Sequence, residues 1–231
     1  MEPGSSMPLM TELLTFIDSA VSGPEDLLPT LSAVCDSGRL REYLVAAAKE
    51  RASLSDTLCY RHPNGFYKMK LLSPSVDSWA LRVHVWDRPV PPSDVHNHRW
   101  DFASHVVSGV LLENQFALDR ESGDTPVHRL SKDTAGAYHH TPDGTGRLRP
   151  TRTVRHETGQ SYTLDHRAMH RADPESGHPV VTVVLQGHDV ARTTTVVPAE
   201  RKERTGATAC SRLGPDKIAD LMELVAERLS A

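Results

Sequence analysis

Hydrophobic positions along this chain change their period twice. Met10, Leu13, Leu14 and Ile17 recur at the spacing of one helical face. Pro24 suits the opening turn of a second helix carrying Leu27, Leu28 and Leu31, and Pro29 is expected to break or restart it. Leu40, Tyr43, Leu44 and Ala47 form a third stripe after Gly38. From about Thr57 the period becomes two: Trp79, Leu81, Val83 and Val85 fall on one side, and Ala80, Arg82, His84 and Trp86 on the other. Apolar or alternating runs follow at 102–107, 110–118, 149–154, 161–164 and 180–186, with turn residues between them. The stretch 119–159 is polar and turn-rich and predicts an extended hairpin or a mobile cover. Ile218, Leu221, Met222, Val225 and Leu229 predict a last helix over 215–229.

Helices, then short strands, then one helix predict a mainly β fold: a small antiparallel barrel with helices packed outside it. The expected organisation is a helical segment at 1–55, a barrel at 56–198 with the polar insertion 119–159, and a linker and helix at 199–231. Such a barrel can enclose one small ligand. The terminal helices suit either packing on the barrel or a dimer contact, so a monomer or a homodimer is expected.

Composition narrows the classes. A chain of 231 residues can bury a core without disulfides. Cys35, Cys59 and Cys210 are odd in number and unrelated in spacing, which fits a reducing cytoplasm better than a disulfide framework. The net charge is −4, and no nucleic-acid motif is present. Arg147, Arg149, Arg152 and Arg155 cluster locally and are expected on a solvated hairpin face. No apolar run is long enough for a bilayer, and the first residues lack the layout of a signal peptide. Neither nucleic acid nor membrane is an expected partner. Histidine is plentiful, at 13 residues, so only spacing can separate ligands from the rest.

One stretch has that spacing. In Asp94-Val95-His96-Asn97-His98, two histidines one residue apart on extended chain project to the same side. Imidazole is a common ligand of iron, copper, nickel and zinc, and a third histidine from a second strand would complete a facial set with open positions. Downstream, Tyr162-Thr163-Leu164-Asp165 and His170-Arg171 echo the pattern. His105 lies on the strand leaving the motif, either as an acid or base beside the metal or as a packed histidine. Arg82 and His84 share a face that is either lumen or exterior. If it is lumen, Arg82 can clamp a substrate carboxylate through paired N–H donors. Tyr162 is a pocket wall or strand packing, and His139-His140 are expected at the surface.

The order His96-Asn97-His98, Gly109, Gly159, Tyr162 and His170-Arg171 resembles the two cupin motifs. Cupins are small antiparallel barrels of the jelly-roll type with a metal inside. The resemblance implies His96, His98 and His170 as ligands, with His166 the alternative to His170. Where many cupins place a glutamate ligand, this chain has Phe102 and Ala103, and the nearby acid is Asp101. The remaining three-histidine set is similar to that of thiol dioxygenases such as cysteine dioxygenase, which bind ferrous iron. Tyr60-Arg61, Asn64-Gly65 and His170-Arg171 fit that comparison, which spans roughly 60–197 and makes Arg61 the competitor of Arg82 as clamp. The chain departs from it in three respects, one being the longer polar stretch 119–159. No cysteine stands near 102–103 for a crosslink to tyrosine, and of the expected relay positions Thr182, Val184 and Gln186 only Thr182 could substitute chemically. The resemblance implies an Fe(II) dioxygenase or oxidase that joins O2 to a small carboxylate- or thiol-bearing molecule. The alternatives are a non-redox cupin (isomerase, epimerase, lyase or decarboxylase) using zinc, manganese or nickel, and a barrel that binds without catalysis.

Overall fold

Each apolar stripe becomes a helix in the computed structural model, which describes residues 6–75, 78–132, 138–175, 179–199, 206–208 and 212–229. Three helices, α1 (Ser6–Ala20), α2 (Leu27–Asp36) and α3 (Arg39–Lys49), precede the strands, and α4 (Pro215–Arg228) follows them. Leu13, Ile17, Leu27, Leu31, Leu40, Leu44, Ile218 and Met222 bring all four into one core. Each such side chain contributes ~1.5–3 kcal/mol by leaving water. Pro29 does not break α2. It is the third residue of that helix, where a backbone N–H has no intrahelical acceptor, so the missing donor costs little.

The strands are β1 (Leu58–Arg61), β2 (Tyr67–Leu72), β3 (Ala80–Trp86), β4 (Val95–His96), β5 (Phe102–Ser108), β6 (Val110–Asp119), β7 (Thr125–Lys132), β8 (Tyr138–Glu157), β9 (Ser161–Leu164), β10 (Met169–Pro174), β11 (Val180–Gln186), β12 (Thr194–Val197) and β13 (Gly206–Thr208). One antiparallel sheet has the order β1-β2-β3-β11-β5-β9 and the other β13-β8-β6-β10-β4-β12-β7. The two face each other across a lumen lined from both, the barrel that the cupin resemblance implies. Alternation along β3 and β11 explains the layering. Leu81, Val83, Val85, Val181, Val183 and Leu185 join the helical core, while Arg82, His84, Trp86, Thr182 and Val184 line the lumen. Trp79, just before β3, donates its indole N–H to Asp18 of α1 at 3.0 Å, which pins sheet to helix.

The stretch 119–159 forms an extended hairpin that is joined to the second sheet by strand pairing. The first half of β8 pairs with β7, and its second half pairs with β6 along 110–119. Residues 133–137 of that stretch lie outside the described residues. Because β8 reaches both partners, β6, β10, β4, β12, β7 and β8 form a closed ring. Val95, Val127, Met169 and Val197, with Phe116, Leu118 and Leu148, form a separate small core there. The arginines of β8 are exposed as expected, with Arg149 on Asp119 at 2.9 Å and Arg155 on Glu175 at 3.0 Å. Beyond 198 the expected linker contains β13, paired with β8. Cys35 and Cys59 are free thiols, pushed up to about 12 chiefly by burial, and Cys210 lies outside the described residues. No helix among the described residues is long and apolar enough to cross a membrane.

Gly109 turns the chain from β5 to β6 at a φ of 83°. A Cβ there would stand 2.9 Å from Cγ2 of Val180. Gly109→Ala is therefore expected to destabilise the fold by about 1–3 kcal/mol, from left-handed strain and the clash together. Thermal melting checks this, and an unchanged midpoint would contradict it.

Candidate metal centre

Three strands of the second sheet bring the histidines together. His96 of β4 stands directly opposite His170 of β10 and Val196 of β12, so a cross-strand register sets the first pair. His98 follows on the same side. Between them Asn97 accepts the Thr195 N–H on its Oδ1 at 2.6 Å, while its own N–H donates to the Thr195 carbonyl at 3.1 Å. The His98 N–H donates to the His166 carbonyl at 3.0 Å. The three ring centroids are 4.9, 5.0 and 4.9 Å apart, a nearly equilateral triangle. One ligand atom from each lies within 4.8 Å of the others.

Hydrogen bonding fixes which nitrogen two of the three rings offer. Nδ1 of His96 donates to the Asp94 carbonyl at 3.0 Å. Nδ1 of His170 donates to the Glu113 carboxylate at 2.9 and 3.1 Å. A carbonyl and a carboxylate accept only, so both protons sit on Nδ1 and the lone pairs fall on Nε2. Nε2 of His98 and Nε2 of His170 are 2.7 Å apart, a separation at which two imidazoles share a proton or a cation. Burial lowers His96 to about 3, helped by the nearby His170 and opposed by the Asp94 carbonyl. Burial, followed by His170 and His96, also holds His98 well below the ordinary imidazole value. The donor set thus fits a divalent metal: converging nitrogens, fixed tautomers and a carboxylate behind one ligand.

His166 does not compete for this position. Its Nδ1 is turned to Asp101 at 2.8 Å, and its backbone N–H donates to the same carboxylate at 2.6 Å. Asp101, the acid nearest the first motif, is thus a tie between the 97–101 segment and the turn before β10. Asp101, Asp165 and His166 also stand close enough to share an ion, on a more exposed part of the surface.

The other expected site residues divide by strand face. Arg82 lines the lumen, its Nε donating to the Gln186 amide oxygen at 2.7 Å. Tyr162 lines it as well, stacked on His156 with centroids 4.1 Å apart. Burial, and next the charge of Glu113, raise its phenol, with a hydrogen bond from Ser104 opposing them. Arg61 and His105 stand on the opposite strand face. Arg61 shares a strand face with Cys59, which is in the helical core. It donates to the Gly65 carbonyl at 2.8 Å and lies over the Tyr67 ring. His105 shares a face with Ala103 and Val107 of the same core and bonds Ser161 through Nδ1 at 2.8 Å. Neither lines the lumen, and Ser104 takes the inward position beside His105. Of the expected relay positions, Thr182 and Val184 are wall residues, while Gln186 holds Arg82.

The sequence does not single out several residues in and behind the site. Glu113 is 1% exposed; the signal for it was an acid in register with Leu111 on an apolar strand. His62, Lys68 and Trp100 line both an inner chamber of about 80 Å³ and an outer one of about 300 Å³, and His96 and His98 border both. His140 lines the outer chamber beside Leu130, where a surface position was expected. His62 accepts the Asn64 N–H on Nδ1 at 3.2 Å, which leaves its own proton on Nε2.

His62 and His84 lie well below their ordinary values, first through burial and then through the charge of Lys68. The unfolded chain protonates these rings below about pH 6.5 while the folded chain does not. Their contribution to stability is therefore complete above that pH and lost as the pH falls toward the folded values. The metal-free protein is expected to melt progressively lower from about pH 7 to about pH 5, and His84→Asn to flatten the decline. A midpoint that rises on acidification would contradict this assignment.

No family model and no curated protein sequence matches the chain. Among solved structures, it is similar to an RmlC-like cupin from Shewanella frigidimarina, at 14% identity over 58% of this chain and 85% of that one, with a TM-score of 0.34. It is also similar to an oxalate decarboxylase from Bacillus subtilis, at 11% identity over 59% and 28% of the two chains and a TM-score of 0.37. A hydroquinone 1,2-dioxygenase from a Sphingomonas species gives 12% identity, 58% and 71% coverage and a TM-score of 0.33. At such scores these likenesses carry over no residue role or activity, and the site stands on its own geometry.

Proposed function

We propose that this chain is a mononuclear non-haem iron dioxygenase or oxidase, acting on a small polar molecule bound in the barrel. The observation that carries the reading is the triangle of histidines, two with their Nδ1 protons held in place, opening onto a lumen that contains Arg82. A ferrous ion on three imidazoles supplies a redox-active Lewis acid that keeps its full charge and has open positions. The chain's own part is positioning. Arg82, braced by Gln186, offers guanidinium N–H groups to a substrate carboxylate, and Glu113 fixes the ring of His170. Trp86, Phe102 and Leu111 make the inner chamber apolar and help to exclude water.

The same donor set favours a second reading. Three imidazoles also accept zinc, manganese or nickel, so a non-redox isomerase, epimerase, lyase or decarboxylase fits the ligands equally. One experiment separates the two. Protein purified from cells supplied with mixed metals is analysed for its metals, then screened with thiols, amino acids and small acids with and without oxygen. Near-stoichiometric iron and turnover that stops without oxygen are expected. Turnover that is identical without oxygen would replace the first reading with the second, and protein lacking metal altogether would remove both.

A further inference from the structure

Beside the mouth of the barrel lies a recess of about 60 Å³ lined by Lys68, Arg82, Arg99, Trp100, Ser131 and Thr194 among others, with no carboxylate among the described residues of its wall. Its three cations crowd one indole. Arg99 is 5.2 Å, Arg82 5.7 Å and Lys68 6.0 Å from the Trp100 ring. A fourth cation, Lys70, stands directly across the strand pair from Arg82, and burial together with that arginine lowers its pKa. Among the described residues, Asp189 stands on Arg99 at 3.3 Å, and the neutral amide of Gln186 orients Arg82.

Cation–π contact returns only a modest stabilisation per cation at such sites, and like charges paired across strands oppose folding. A half-buried concentration of one sign in a concave wall is instead the arrangement that gathers anions. Guanidinium groups bind oxyanions through paired N–H donors, an ammonium adds a point charge, and the hydroxyls of Ser131 and Thr194 can donate as well. The recess adjoins the candidate metal centre. It shares Lys68 and Trp100 with both chambers, and Trp100 lies 5.5 Å from the ring of His98.

We propose that this recess is an oxyanion subsite, and that the substrate is a short molecule bearing a phosphate or a second carboxylate at the end remote from the histidines. The part that concerns the substrate rests on the enzymatic reading above, whereas binding of the anion does not. The test is titration of the full chain with inorganic phosphate and, separately, malonate, at ionic strength held constant with sodium chloride. Calorimetry and tryptophan fluorescence report binding. Saturable binding at one site is expected, weakened about tenfold or more by Arg99→Gln and by Lys68→Gln, and unchanged by Arg152→Gln on the exposed face of β8.

Preference for phosphate would assign a phosphorylated substrate, and preference for malonate a dicarboxylic one. His96→Ala is expected to keep the binding, so a failure of the metal reading leaves this result standing. Loss of binding in His96→Ala would place the anion at the histidines and overturn the subsite. Lack of saturable binding by either anion, or equal binding in Arg99→Gln and Lys68→Gln, would overturn it too.

Discussion

His170→Ala is expected to purify with less than about a tenth of the metal that the unsubstituted chain carries, and to have no turnover above background. Two losses coincide in that variant. One of three converging nitrogens disappears, and with it the donor that satisfies a carboxylate just 1% exposed. An orphaned buried acceptor costs about 1–3 kcal/mol, and more if it is charged, so the melting point should fall as well. His166→Ala provides the contrast, since its ring is turned to Asp101 and belongs to another cluster. That variant should keep its metal. Full metal occupancy in His170→Ala, or loss of metal in His166→Ala but not in His170→Ala, would exchange the two assignments.

The second large effect is expected at Glu113. Glu113→Gln preserves shape and can still accept the proton of His170 Nδ1, but it removes the negative charge that makes the ring a stronger donor. Substitutions of partners behind metal ligands typically lower affinity by about 10–100-fold, and that loss is expected here from competition with a chelator of known affinity. Glu113→Leu should lose more, because Nδ1 then has no acceptor and the ring is free to change tautomer or turn. An affinity for metal in Glu113→Gln within about twofold of the original would reduce Glu113 to core packing.

Regular alternation made much of the barrel legible. Along 79–86 it separated a helix-facing set from Arg82, His84 and Trp86, and the spacing of His96 and His98 placed two rings on one side. What alternation leaves undecided is which side of a strand is the lumen, because that depends on where distant helices pack. Arg61 and His105 lie on the helical side for this reason: Cys59, Ala103 and Val107 are residues that suit either environment. Glu113 was hidden for a related reason. Its partner stands 57 residues away in sequence, and a carboxylate within an apolar strand gives no local sign of facing a histidine. Polar side chains along 119–159 suit an extended hairpin and a mobile cover equally, and the strand pairing makes the stretch a hairpin. A ladder of backbone hydrogen bonds holds β8 to two partners while those side chains remain in water.

That two-partner strand bears on how the molecule behaves at high concentration. A strand with an unpaired edge is a template on which a second molecule can add a strand of its own, the first step toward aggregation. By turning from β6 to β7, β8 closes the ring and leaves neither of them with a bare row of N–H and C=O groups along the paired length. In the other sheet the margins are β1 and β9, each four residues long. Tyr60 of β1 is further engaged by a bridge to Arg212. The longer open edge belongs to β8 itself, since β13 covers only 138–140 and the described residues 141–157 pair on one side alone. Pro142, Pro150 and the charged Arg147, Arg149, Arg152 and Arg155 blunt that edge, so crowding should favour separate molecules over sheet-to-sheet growth.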